Sequence, residues 1–149
     1  MELDIRPARM DNIETILDFM IDYYEIEGVE FDGVKSKGTL EDFITDGTFG
    51  SLCIIHKSNE PIGYFCLAFN FTLENYGKDC FLDEIYIKPN FRNRGIGSEV
   101  MRYIENYLNG NGFKAIHLIV HDDNPKAFKY YLKNGFRKHK ASFLTKLLT

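Results

Sequence analysis

At 149 residues, with 44% apolar and 27% charged side chains, the chain fits a single domain over 1–149, large enough to bury a core without disulfides or metals. No apolar run reaches the ~20 residues of a membrane span, and the N-terminus lacks a signal peptide's basic start and apolar middle; a cytoplasmic location without a membrane partner is therefore expected. Residues 1–46 carry 13 acidic against 4 basic side chains, a net of −9, and residues 47–149 a net of +5, while a pI near 5.6 without a continuous basic face argues against nucleic acid.

Residues 3–6 alternate apolar and polar, a short strand stopped by Pro7. Asp11 is placed to cap the helix that follows, in which Ile13, Ile16, Leu17, Met20 and Tyr24 recur at helical spacing until Gly28. Residues 28–38 hold three glycines among charges and read as a loop. Thr39 then starts a short helix, with Asp42 in capping-box position and Leu40, Phe43 and Ile44 as its apolar side. Nothing in the pattern anchors this helical pair strongly, which suits a mobile wall facing a substrate.

From residue 51 the period changes. Residues 52–56 and 62–71 read as two strands of a hairpin turning at 57–60, and a looser connection over 72–79 leads to a central strand over 80–87. A helix with Ile96, Val100, Met101, Ile104, Tyr107 and Leu108 on one face ends near Gly110 or Gly112. Residues 115–120 read as a buried strand. Asn124 caps another helix with Pro125 at its first position and Gly135 as its stop. Residues 136–148 read as a closing hairpin turning near Lys140. The order predicts an α/β fold with a mixed sheet of six to seven strands and about four helices. Cys53, Cys66 and Cys80, odd in number and set among apolar residues, read as reduced core thiols. His117 and His121 lack the partners a zinc site needs, so no metal is expected.

The stretch 81–98, FLDEIYIKPNFRNRGIGS, carries the chemistry. A strand holding Asp83 and Glu84 is broken at Pro89, and a basic loop with Gly95 and Gly97 runs straight into a helix. Free N–H groups and the helix dipole at such a junction favour an anion. A nucleotide P-loop would need Gly-Lys-Ser/Thr, but Ser98-Glu99 follows Gly97; the dinucleotide turn needs a third glycine, and Val100 and Met101 occupy its neighbourhood. What the loop does spell is R-x-x-G-x-G, from Arg92 through Gly95 to Gly97. A second block, Asn-x-x-Ala-x-x-x-Tyr-x-x-x-Gly-Phe, is spelled by Asn124, Ala127, Tyr131, Gly135 and Phe136 about 30 residues on.

Together these blocks resemble the acetyl-CoA signature of the GCN5-related N-acetyltransferase (GNAT) superfamily, and LDEIYI is locally similar to its polyamine-acetylating branch. The resemblance implies an acyl-CoA N-acyltransferase fold with a splayed, mostly antiparallel sheet. It also implies acetyl-CoA as co-substrate. Pantetheine would bond backbone groups of Ile85, Tyr86 and Ile87, and pyrophosphate would rest on the N–H groups of Asn93, Arg94, Gly95, Ile96, Gly97 and Ser98, with Arg92 and Arg94 adding charge. Asn124 and Ala127 would lie near the cofactor, Asn124 serving equally as a plain helix cap. Tyr131 would be the general acid that protonates the CoA sulfur, with Tyr130 exchanging for it if the helix phase is off by one. Pairing through sheet edges or C-terminal strands is common among such folds, so a homodimer is compatible with the resemblance.

Acetyl transfer to an amine needs the ammonium, with pKa near ~10, to lose its proton first, and a carboxylate acting through water can relay it. Glu84 is the choice for that base and Asp83 the alternate. Strand alternation would put them on opposite faces unless a bulge intervenes. Either could instead pair with an arginine such as Arg102 or Arg137. Tyr23, Tyr24, Glu27, Glu30, Glu74 and Tyr76 are candidates for an acceptor pocket. The expected function is direct acetyl transfer to a primary amine of a small cationic acceptor; a protein or peptide N-acetyltransferase and a non-catalytic CoA-binding module are the alternatives.

Overall fold

In the computed structural model, which describes residues 2–149, five strands form one sheet in sequential order: β1 (Asp4–Pro7), β2 (Gly50–Lys57), β3 (Glu60–Thr72), β4 (Gly77–Ile87) and β5 (Ala115–His117). Neighbours are antiparallel except β4 and β5, which run parallel. Helices α1 (Ile13–Glu27), α2 (Gly33–Thr45) and α3 (Ile96–Gly110) belong with these strands to a compact unit of residues 2–118; residues 119–149 form a second unit around α4 (Pro125–Lys133). None of the helices is long and apolar enough to cross a membrane among the described residues.

The hairpin of β2 and β3 turns on Ser58 and Asn59, both with positive φ, the two-residue geometry whose twist matches that of the strands. Residues 52–55 and 62–65 are buried without a break because helices cover both faces of the sheet. On one face Leu52, Ile54, Tyr64 and Tyr86 pack with Ile13, Ile16, Phe19 and Met20 of α1 and Leu40 of α2. On the other, Phe65 meets Tyr103 of α3, whose apolar row of Ile96, Val100, Ile104 and Leu108 is buried.

Helix α2 corrects the expected loop over 28–38. The side chain of Asp32 accepts a hydrogen bond from the Lys35 N–H at 3.0 Å and starts the helix at Gly33. Thr39, expected as a cap, lies inside the helix and donates back to the Lys35 carbonyl. Gly38 in the helix interior costs about 1 kcal/mol in propensity, which burial of Leu40 and packing of Phe43 and Ile44 offset. At the start of α1, Asp11 is not the cap; it lies in a 3₁₀ turn, Met10–Asn12, where Asn12 accepts from the Arg9 N–H.

The sheet has five strands where six to seven were expected. No strand forms over 136–148 among the described residues, where Phe143, Leu144, Leu147 and Leu148 are exposed. These apolar residues come as adjacent pairs, which a strand would point to opposite faces, so one-sided burial fails. The strand expected over 115–120 ends at His117. Its pairing with β4 stops at Phe81, just before β4 bulges away. A buried carboxylate fixes that junction. Asp79 Oδ2 accepts from Thr72 Oγ1 at 2.6 Å and Asn75 Nδ2 at 3.2 Å, and lies 3.0 Å from His117 Nε2. Burial alone would raise its carboxyl, but these bonds hold it below the ordinary value.

Candidate active site

The two carboxylates sit on a fault in the ladder. Glu84 lies opposite Cys66 of β3 and Leu82 opposite Leu67, so Asp83 has no partner and is the extra residue of a β-bulge. Regular alternation resumes on either side of it. Leu82 shares the face of Leu67 and Phe65, toward α3, while Tyr86 shares the face of Tyr64, toward α1. Both Asp83 and Glu84 therefore fall on the α1 side. The bulge resolves the alternation problem by bringing the pair to one face.

Glu84 is held by two phenols rather than by a cation. Tyr24 of α1 donates to Oε2 at 2.7 Å and Tyr64 of β3 donates to Oε1 at 2.8 Å. Burial pushes the Glu84 carboxyl above its ordinary value; the two hydrogen bonds oppose this, and the charges of Asp83 and Glu27 reinforce it. Asp83 is more exposed and is raised by desolvation. Burial and the Glu84 charge drive both phenols far above the ordinary tyrosine value, so they remain donors at any working pH. Around them Tyr23 meets Tyr24 and Tyr64 edge-on, and Phe31, from the loop between α1 and α2, meets Tyr24 edge-on. The result is an aromatic wall with acidic groups.

Where the loop 88–95 enters α3, Gly95 takes a left-handed conformation at φ 78° and no side chain caps the helix. The N–H groups of its first turn are left for a ligand by helix geometry. A Cβ built on Gly95 would meet nothing within 4 Å, so backbone conformation, not crowding, calls for glycine there. Arg92 donates from Nε to the Ile87 carbonyl at 2.6 Å and lies 5.4 Å from the Tyr86 ring, which fixes its stem over the strand end. Tyr86 in turn donates to Asp22 of α1 at 3.1 Å. Beyond Phe81 the edge of β4 that faces β5 has no strand beside it among the described residues, and this stretch includes Ile85 to Ile87.

In the second unit Asn124 caps α4, accepting from the Ala127 N–H at 3.2 Å. Tyr131 is half-buried and meets Tyr130 and Phe136 edge-on, each at 5.3 Å. Burial raises its phenol, with the neighbouring Tyr130 adding to the effect, so it keeps its proton at neutral pH.

Among the residues expected at an acceptor pocket, Tyr24 and Glu27 are brought to Glu84. Glu30 is exposed in the loop after α1. Glu74 and Tyr76 occupy the turn between β3 and β4, and Tyr76 is 88% exposed. That turn is seven or more strand residues from Glu84, about 20 Å along β4. Tyr64, Phe31 and Asp22 were not singled out by sequence reasoning. Tyr64 lies within the strand expected over 62–71, and only the folded register, with Tyr64 opposite Tyr86 and its hydroxyl on Glu84, reveals its place in the site.

The sheet that parts after Phe81, the bulged carboxylates and the uncapped glycine turn together define an acyl-CoA N-acyltransferase fold. The chain belongs to the acetyltransferase (GNAT) family, whose model matches residues 15–136. It is similar to a thialysine N-epsilon-acetyltransferase of Sus scrofa, 34% identical over 56% of this chain and 52% of that one. It is also similar to the spermidine N(1)-acetyltransferase of Thermoplasma acidophilum, 22% identical over 92% of this chain and 89% of that one. Among solved structures, a predicted acetyltransferase with acetyl-CoA from Clostridium acetobutylicum superposes with a TM-score of 0.78 at 18% identity, covering 97% of this chain and 96% of that one. The match spans only about half the length of the thialysine enzyme.

Proposed function

We propose that the protein is an acetyl-CoA-dependent N-acetyltransferase acting on a primary amine of a small cationic acceptor, with Glu84 as general base and Tyr131 as general acid. The observation that carries this reading is the bulge, which turns Asp83 and Glu84 to one face and sets Glu84 in an aromatic, acidic wall where an ammonium would be attracted. The spermidine and thialysine enzymes among its relatives support an amine acceptor.

The residues present fit acetyl-CoA. The uncapped first turn of α3, with Gly95 left-handed and Arg92 and Arg94 exposed beside it, suits a pyrophosphate, and the unpaired β4 edge at Ile85 to Ile87 suits an amide-bearing arm. The molecule would supply the acetyl group as a thioester. Glu84, raised by burial, takes the proton the ammonium must lose before its nitrogen can attack, directly or through one water. Asp83 on the same face is the alternate acceptor of that proton. A backbone N–H of residues 85–86 donates to the developing oxyanion. Tyr131, still protonated at neutral pH, donates from its hydroxyl to the departing sulfur.

A thiol-release screen against polyamines, amino acids, amino sugars and lysine peptides tests this. Glu84→Gln is expected to lower kcat/KM for the accepted amine by roughly 10²-fold or more, with Asp83→Asn less affected. Tyr131→Phe should reduce kcat more than acetyl-CoA affinity. Full rate in Glu84→Gln at neutral pH removes Glu84 as base. Turnover of peptides alone moves the acceptor to protein, and binding of acetyl-CoA by calorimetry without release on any amine makes the chain a binding module.

A further inference from the structure

We infer that Tyr24 and Tyr64 form a two-sided phenol clamp on Glu84, positioning residues that aim the base by donating one hydrogen bond to each of its oxygens. The inference rests on the reading of Glu84 as base. Each carboxylate oxygen accepts one phenol, Oε2 from Tyr24 at 2.7 Å and Oε1 from Tyr64 at 2.8 Å, so rotation about the terminal side-chain bond would break both contacts. The donors come from different layers. Tyr64 is 1% exposed within the sheet and stacks on Phe19, its ring 6.2 Å away. Tyr24 is half-exposed near the end of α1, where the Val29 N–H closes on its carbonyl at the left-handed Gly28 and Phe31 packs edge-on against its ring. Helix α1 and strand β3 thus both grip the group that must move a proton.

Besides the two phenols, the titratable groups that act on this site among the described residues include Glu27 of α1, Asp83 of β4 and Cys66 of β3, with Tyr23 of α1 edge-on to both clamping rings. Burial and the two neighbouring carboxylates favour the protonated form; the phenols alone favour the charged one. Without them Glu84 would hold its proton to higher pH and be a spent base over more of the working range. The two sides are unequal. Tyr24 is half-buried, where solvent can compensate part of a lost hydroxyl, whereas Tyr64 is buried and its loss is uncompensated.

The test is a carboxyl-carbon NMR titration of Glu84 in the intact protein, needing no acceptor, on wild type, Tyr24→Phe and Tyr64→Phe. Both variants keep the ring. Glu84 should titrate about one pH unit higher in Tyr64→Phe, by the loss of one hydrogen bond to a charged group, and by less in Tyr24→Phe. The acid limb of kcat/KM in the thiol-release assay should move by the same amount. If Tyr64→Phe melts too low to titrate, Tyr24→Phe carries the test. Unmoved titration in folded variants overturns the clamp while leaving Glu84 as base. Moved titration with full rate in Glu84→Gln removes the base and with it the catalytic role of the clamp. A drop in kcat with the acid limb in place marks a merely structural role and also overturns it.

Discussion

At Gly95 a single dihedral decides whether the helix N-terminus can present its N–H groups. Gly95→Ala meets no atom within 4 Å of the added carbon but must hold φ at 78°, a left-handed conformation that disfavours side chains by roughly 1–2 kcal/mol. Calorimetry should therefore show acetyl-CoA binding weakened by about tenfold, with only a small change in melting temperature, because the turn is exposed and can relax. Gly95 was legible in the sequence because glycine before a helix has few uses. Glu84 was also legible, as one carboxylate of a pair. Of its phenols, Tyr24 was marked only as a pocket candidate and Tyr64 not at all, since they reach Glu84 from 60 and 20 residues away and no local period reports such a pairing.

Among the strands β5 is the shortest, three residues joined to β4 above one buried carboxylate. Asp79→Asn removes the charge that Thr72, Asn75 and His117 converge on, and an imperfectly matched amide there should cost about 1–3 kcal/mol at neutral pH. The sign with pH follows from the lowered carboxyl: its stabilisation is present above the unfolded value of 3.8 and is lost as the pH falls through the lower folded value. Thermal melts of wild type and Asp79→Asn should differ at pH 7 and converge below that range. Strand and helix periods located β2, β3, β4, α1 and α3. Helix α2 was misread because glycine-rich composition masked the Asp32 cap, and the closing hairpin because loose alternation resembles a strand until adjacent apolar pairs are checked for a common face.

Across the whole chain, five of the 13 acidic side chains of residues 1–46 lie on α1, the helix that supplies Tyr24 and Glu27, and it carries no lysine or arginine. If it draws a cationic acceptor, the acceptor KM should climb several-fold between 50 and 500 mM salt while kcat holds, since screening acts on encounter rather than on buried chemistry. An unchanged KM would assign that charge to solvation alone. The split of charge was plain in the sequence; which face it served was not.

The unpaired Asp83 also sets where β4 tolerates a change of length. Remove a residue between Lys78 and Phe81 and part of β4 falls out of phase, exchanging its α3-facing and α1-facing residues. Remove Asp83 itself and Leu82 still meets Leu67, Glu84 still meets Cys66, and every later residue keeps its side. Within the ladder it is the residue whose loss leaves every pair in register, so the second carboxylate can be lost without disturbing the first.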